Sequence, residues 1–169
     1  MMLNQHISSQ ILIEHQKYSR NKLHLYTLID GLEYERFFQE EIIENEWIKP
    51  LFLQPSNKDM AFAGPWICYI KKMNSDFQNQ IIELEQKYPS VSWIISSLSF
   101  EYLLNNLENK LHITLEDNRY ALLRYYDPRV LYKLPSVLTE QQIKIFTLQI
   151  DEWIYYYENN YHSLNAGKL

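Results

Sequence analysis

Three stretches of strand length, 23–29, 66–70 and 91–97, are apolar at most positions rather than at every second one. A strand with one face in water alternates apolar and polar residues, so runs that are apolar on both faces have to be covered on both sides. That requirement points to a layered domain, with a sheet carrying helices above and below it. The intervening segments supply helical periodicity. Tyr34, Phe37, Phe38 and Ile42 recur at helical intervals among Glu33, Glu35, Glu40, Glu41 and Glu44. Phe77, Ile81, Leu84 and Tyr88 follow the same spacing up to Pro89, whose ring disfavours helical geometry in the residue before it. Phe100, Leu103, Leu104 and Leu107 mark another helix, and Ile7, Ile11 and His15 a first one that starts near Ser8 or Ser9.

The remaining segments are read from their breakers. Residues 47–53, punctuated by Pro50 and followed by Pro55, suit a sheet edge or loop, because proline donates nothing to a ladder. Residues 57–60 are expected to be exposed. A short strand is expected at 110–115, then a turn at Asp117-Asn118 and a strong strand at 120–126. Val130, Leu134, Val137 and Leu138 predict a helix that Pro135 ends or kinks, and Thr139 with Gln142 forms a capping-box pattern that restarts one. Residues 148–157 are rich in strand formers. Alternating strands and helices predict an α/β fold: a single layered domain over 1–169 with a mixed, partly parallel sheet flanked by helices. Its core is expected at 23–157, with a frayed tail at 159–169.

Composition excludes several functions. A chain of 169 residues, 46% hydrophobic, has enough material for one substantial core. The formal net charge of -5 leaves no surplus of cations for a phosphate backbone, so nucleic acid is not an expected partner. Three glycines, Gly31, Gly64 and Gly167, cannot form a glycine-rich phosphate loop. The single cysteine, Cys68, excludes an internal disulfide and a zinc cluster of several thiolates, and between Ile67 and Tyr69 it reads as a buried small hydrophobe. His6, His15, His112 and His162 are scattered, and His24 inside an apolar strand reads as a hydrogen-bonded core residue; no metal and no cofactor are expected. The first residues lack a signal-peptide pattern and no apolar run is long enough to span a bilayer, so the expected location is the cytoplasm, without membrane insertion.

The most distinctive string is Arg124-Tyr125-Tyr126-Asp127-Pro128-Arg129-Val130-Leu131, placed where a strand is expected to hand over to a helix. Asp127 suits an N-cap, because its carboxylate can accept from the free amides of the first turn, and Pro128 suits the first helical position. Capping does not explain Arg124 and Arg129, since cations oppose the helix dipole there. Either they form salt bridges with Asp127 or Asp30, or they present a cationic, hydrogen-bonding edge to a partner chain. An enzymatic alternative uses Asp30 and Asp127 as strand-end carboxylates that hold a metal or divide acid and base roles in a hydrolase or phosphotransferase. No third carboxylate, lysine or serine stands at a recognisable catalytic spacing beside them. Trp153-Ile154-Tyr155-Tyr156-Tyr157 is the other unusual string. It is either packed against a helix or, on an outer strand, open to strand addition by another protein.

Three strings together resemble the effector adaptors of the bacterial type VI secretion system, the Tap or Tec family. Leu25-Tyr26-Thr27-Leu28-Ile29-Asp30 resembles the family's opening strand and aspartate. Ala63-Gly64-Pro65-Trp66-Ile67 resembles its Gly-Pro entry into the second strand, and 124–131 resembles its Arg-aromatic-Tyr-Asp-Pro-Arg signature. Order and spacing agree downstream through Leu134, Phe146 and Trp153. The resemblance implies a non-catalytic cytoplasmic chaperone that binds one toxin and brings it to the spike-tip protein, with no cofactor. Carried over by position, Asp30, Gly64, Pro65, Arg124, Asp127, Pro128 and Arg129 are its motif residues; Trp66, Tyr126 and Trp153 accompany them as candidate contacts. Longer relatives carry an added carboxyl-terminal lobe, which is not expected here. An immunity protein that blocks a toxin's active site is a third possibility.

Overall fold

In the computed structural model, which describes residues 2–52, 61–114, 117–165 and 167–168, the apolar runs lie at the middle of one sheet. The first half of the chain forms α1 (Ile7–Tyr18), β1 (His24–Asp30), α2 (Gly31–Phe38), β2 (Ile48–Pro50), β3 (Pro65–Cys68), α3 (Ser75–Lys87) and β4 (Val91–Ser96). The second half forms α4 (Phe100–Leu111), β5 (His112–Thr114), β6 (Tyr120–Leu122), α5 (Pro128–Val137), α6 (Glu140–Phe146), β7 (Glu152–Tyr157), β8 (Asn160–Ser163) and β9 (Gly167–Lys168). Seven strands pair in the order β2-β3-β1-β4-β7-β8-β9, and β5 and β6 form a separate hairpin.

The expected cover on both faces is present. Leu25, Ile29, Trp93, Ile95 and Ile154 join residues of α1, α2 and α3 in one apolar cluster. Tyr26, Leu28, Ile94, Trp153 and Tyr155, which point the other way by strand alternation, join α4, α5 and α6 in a second. The architecture is α/β with helices on both faces.

The sheet is antiparallel throughout, which corrects the expectation of a partly parallel one. Both β3 and β4 run antiparallel to β1, so they are parallel to each other, and α3 connects them as a crossover. They are not neighbours, because β1 is inserted between them. Strand-helix-strand order therefore carries the parallel crossover but not the pairing, and two-sided burial makes these antiparallel strands as apolar as parallel ones.

Other differences are local. His6, not Ser8 or Ser9, caps α1, its side chain accepting from the Ser8 amide. The second helix stops at Phe38 because Gln39 turns left-handed (φ 57°), so Ile42 is buried from outside it. Of the strand expected at 120–126 only Tyr120–Leu122 forms, and it belongs to the hairpin rather than the main sheet. α5 runs two residues past Pro135, which lies in its last turn. Part of the expected frayed tail, Asn160–Ser163, pairs with β7. β2 takes the edge position expected of a proline-bearing segment, whereas Leu53, Pro55, 57–60 and Leu115 lie outside the described residues. The Thr139–Gln142 capping box is present in both directions. Among the described residues no helix is long and apolar enough to cross a membrane.

Candidate partner-binding site

The site begins where β1 ends. Asp30 pairs with Pro65 across the sheet and donates its amide to the Ser90 carbonyl at 2.8 Å, so its backbone is fixed from both sides. Its side chain caps α2: Oδ1 accepts from the Leu32 and Glu33 amides at 3.1 and 3.4 Å.

The Gly64-Pro65-Trp66 string is built against that cap. Gly31 donates its amide to the Gly64 carbonyl at 2.9 Å. A Cβ at Gly31 would stand 2.1 Å from the Phe62 carbonyl oxygen and 2.7 Å from Trp66 Nε1, so the first turn of α2 rests directly on this loop. Trp66, almost fully buried, closes the loop by donating Nε1 to the Phe62 carbonyl at 3.0 Å. At Gly64 a Cβ would lie 2.4 Å from the Phe52 ring. Glycine at 31 follows from crowding by backbone carbonyls and the Trp66 indole, and glycine at 64 from the Phe52 ring.

The 124–129 string reaches the same place from the other half of the chain. Arg124 lies over the Tyr126 ring, 5.4 Å from its centroid, and sets Nη2 3.4 Å from Asp30 Oδ2. Asp127 caps α5 by accepting from the Arg129 amide at 2.9 Å, with Pro128 in the first turn. The Arg129 guanidinium then folds back on that carboxylate, with Nε at 2.9 and 3.1 Å and Nη2 at 2.7 Å. Both aspartates are buried, whereas the side chains of Arg124 and Arg129 are 51% and 54% exposed. The arginines thus hold ion pairs with Asp30 and Asp127, one of the two readings the sequence left open, while half of each side chain still faces solvent.

Electrostatics tie the two junctions together. Burial raises the Asp30 carboxyl above its usual range, against the pull of the Glu33 amide and the Arg124 charge. Burial also raises the Tyr126 hydroxyl, opposed by Arg124 and reinforced by Asp30. For Arg124 burial works against the charge, but Tyr126, Asp30 and Asp127 outweigh it, and the guanidinium is held more firmly protonated. Arg129 is raised first by its hydrogen bond to Asp127, and it also feels Glu33 at the start of α2. The Asp30 carboxylate is occupied by two amides and a guanidinium, and that of Asp127 by one amide and a guanidinium. Among the described residues no group of three or more histidines, cysteines or acids is placed to hold a metal ion.

Trp153 does not join this site. It is fully buried, stacks on Phe146 at 5.5 Å with planes 8° apart, meets the edge of Tyr125 at 5.5 Å, and donates Nε1 to Ser92 Oγ at 3.0 Å. β7 lies between β4 and β8, so the outer aromatic strand considered above is an inner one, with Trp153, Ile154 and Tyr155 in the core. Cys68 is buried, and burial pushes its thiol up. His24 accepts or donates at 2.7 Å to the Tyr69 hydroxyl, as a partly buried core histidine should.

One constellation escaped the sequence reading. His6 Nε2 lies 2.7 Å from Glu85 Oε2, and Glu85 also accepts from Trp93 Nε1 at 2.7 Å and the Tyr161 hydroxyl at 2.9 Å. Because His6 Nδ1 accepts the Ser8 amide, the geometry fits an imidazole with its proton on Nε2. The available signal was Glu85 itself, four residues after Ile81 on the apolar stripe of α3.

The fold and site define a three-layer protein whose polar centre is a pair of aspartate-anchored, half-exposed arginines at two helix starts. The chain belongs to the family described as Domain of unknown function (DUF4123), whose model matches residues 25–144, and this is the family known as the type VI secretion effector adaptors. No curated protein and no solved structure matches the chain.

Proposed function

We propose that this chain is a cytoplasmic adaptor that binds a cognate type VI effector and promotes its loading onto the VgrG-type spike-tip protein. One observation carries the reading beyond family membership. Three strings far apart in sequence meet at one surface, where Arg124 and Arg129 are fixed by Asp30 and Asp127 and keep half of each side chain in solvent. An anchored guanidinium loses little further side-chain freedom on binding and retains unused donors for a partner's carbonyls or carboxylates.

The same geometry disfavours a metal-dependent hydrolase or phosphotransferase. Asp30 and Asp127 spend their oxygens on helix caps and arginines, so a metal or substrate proton would have to displace those bonds. The test is co-purification of the full chain from its native host, with and without the neighbouring genes. A toxin and a spike component recovered with it, and no turnover, is the expected result. Recovery of neither, together with a metal-dependent reaction lost in Asp30→Asn and Asp127→Asn, would replace the adaptor by an enzyme. Neutralisation of a toxin in recipient cells would indicate an immunity protein.

A further inference from the structure

The hairpin of β5 and β6 leaves an open sheet edge beside the arginine site. It pairs with no strand of the main sheet. Within it His112 faces Leu122, Ile113 faces Ala121 and Thr114 faces Tyr120. One rung earlier the Leu123 amide donates to the Leu111 carbonyl at 2.8 Å. Bonded and non-bonded pairs alternate along an antiparallel ladder. With Leu111 and Leu123 bonded, Ile113–Ala121 is a bonded pair, and His112–Leu122 and Thr114–Tyr120 are not. The backbone N–H and C=O of Tyr120 and Leu122 therefore point out of the hairpin, where no group among the described residues meets them.

The side chains fit an open edge as well. Opposite residues share a face. Ile113 and Ala121 are half-buried, whereas His112, Thr114, Tyr120 and Leu122 are exposed, Tyr120 by 85% and Leu122 by 42%. A two-stranded sheet is marginal by itself. Sheet edges are ordinarily closed by lysine, proline or shortness. The main sheet follows that rule: its edge strand β2 carries Lys49 and Pro50, and β9 at the other edge is two residues long. β6, Tyr120-Ala121-Leu122, has neither charge nor proline. Two residues beyond Leu122 stands Arg124, the half-exposed guanidinium anchored by Asp30, so the open edge runs into the candidate site.

We propose that β6 receives an extended segment of the partner as a third strand, with apolar side chains beside Tyr120 and Leu122 and a carboxylate at Arg124. In strand addition the backbone pairing supplies affinity, and alternate side chains supply selectivity. A strand rises about 3.3 Å per residue, so a segment paired with Leu122 has to run on by about two residues to reach Arg124. Arg124 meets Asp30 through Nη2, and a guanidinium has further donors for a second carboxylate. That the partner is an effector rests on the adaptor reading; that β6 accepts a strand does not.

Titration and hydrogen exchange on the full chain test the edge without any effector. The probe is a labelled peptide of alternating valine and threonine that ends in aspartate. It is expected to bind saturably and to slow exchange of the Tyr120 and Leu122 amides about tenfold or more. N-methylation of the peptide amides that face the edge should abolish binding. In the chain, Leu122→Pro removes an outward donor without touching a bonded rung, and should weaken the probe about tenfold. Tyr120→Lys, which puts a charge on the edge at an exposed position, should do the same and gives a second reading if Leu122→Pro fails to fold. No saturable binding, or binding that protects other amides, overturns the proposal. So does self-association of the chain that Tyr120→Lys abolishes, because a second copy would then occupy the edge. A toxin that co-purifies equally well with the Tyr120→Lys chain would refute the edge and leave the adaptor standing, so the two failures are distinguishable.

Discussion

Arg124 and Asp30 are 94 positions apart in sequence, yet Nη2 of the first lies 3.4 Å from Oδ2 of the second. The contact joins the end of β1 to the segment that leads into α5. Arg124 is half in solvent, so the pair should contribute under about 1 kcal/mol to stability. Arg124→Ala is therefore expected to leave the thermal transition nearly in place while reducing partner capture, as measured by melting and co-purification on one preparation. A collapse of the transition would assign Arg124 a structural role only.

Gly31 is expected to be intolerant for a different reason. Its missing Cβ leaves room for the Phe62 and Gly64 carbonyls, backbone atoms that cannot rotate away. Gly31→Ala should cost about 1–3 kcal/mol or more through overpacking, despite the better helix propensity of alanine. A denaturant midpoint at or above the wild-type value would contradict the close approach.

His24 gives the fold a pH dependence of known sign. Burial lowers its pKa from the ordinary 6.5, with Lys22 and Lys71 adding to the effect. A folded-state pKa below the unfolded one means that the unfolded chain takes up the proton first. Stability from this site is whole above about pH 6.5 and declines as pH falls through the lowered folded value. Against wild type, His24→Gln should flatten the slope of melting temperature below about pH 6.5. An unchanged slope would show that His24 does not report the change.

Trp153→Ala should destabilise by about 3–5 kcal/mol, because it removes a core indole stacked on Phe146 and edge-on to Tyr125. Calorimetry decides the matter. A variant with wild-type stability and lost partner binding would return Trp153 to the surface role that its sequence context allowed.

Much of this was legible in the residues. Two-sided apolar runs announce a sheet covered on both faces, and Asp127-Pro128 announces a helix start, because each depends on local chemistry. Strand direction does not. The order β3, α3, β4 is the same whether those strands pair or admit β1 between them, so the antiparallel sheet could not be read from alternation. Tyr125 and Tyr126 were read as the end of a strand over 120–126, but they reach the core from a turn. At the site the motif residues were identifiable singly, whereas their meeting depends on the crowding at Gly31 and Gly64. His6 was invisible for the opposite reason: nothing near it in sequence betrays the buried Glu85 that holds it.

The most direct measurement compares Arg129→Glu with the wild-type chain in co-elution with the proteins that the wild-type chain captures in its native host. The substitution replaces a half-exposed cation with an anion next to Asp127, at a helix start where an acid is tolerated. The expected result is an intact thermal transition and loss of the co-eluting partner. Retained co-elution by a folded Arg129→Glu chain would contradict the claim that the arginine surface captures the partner.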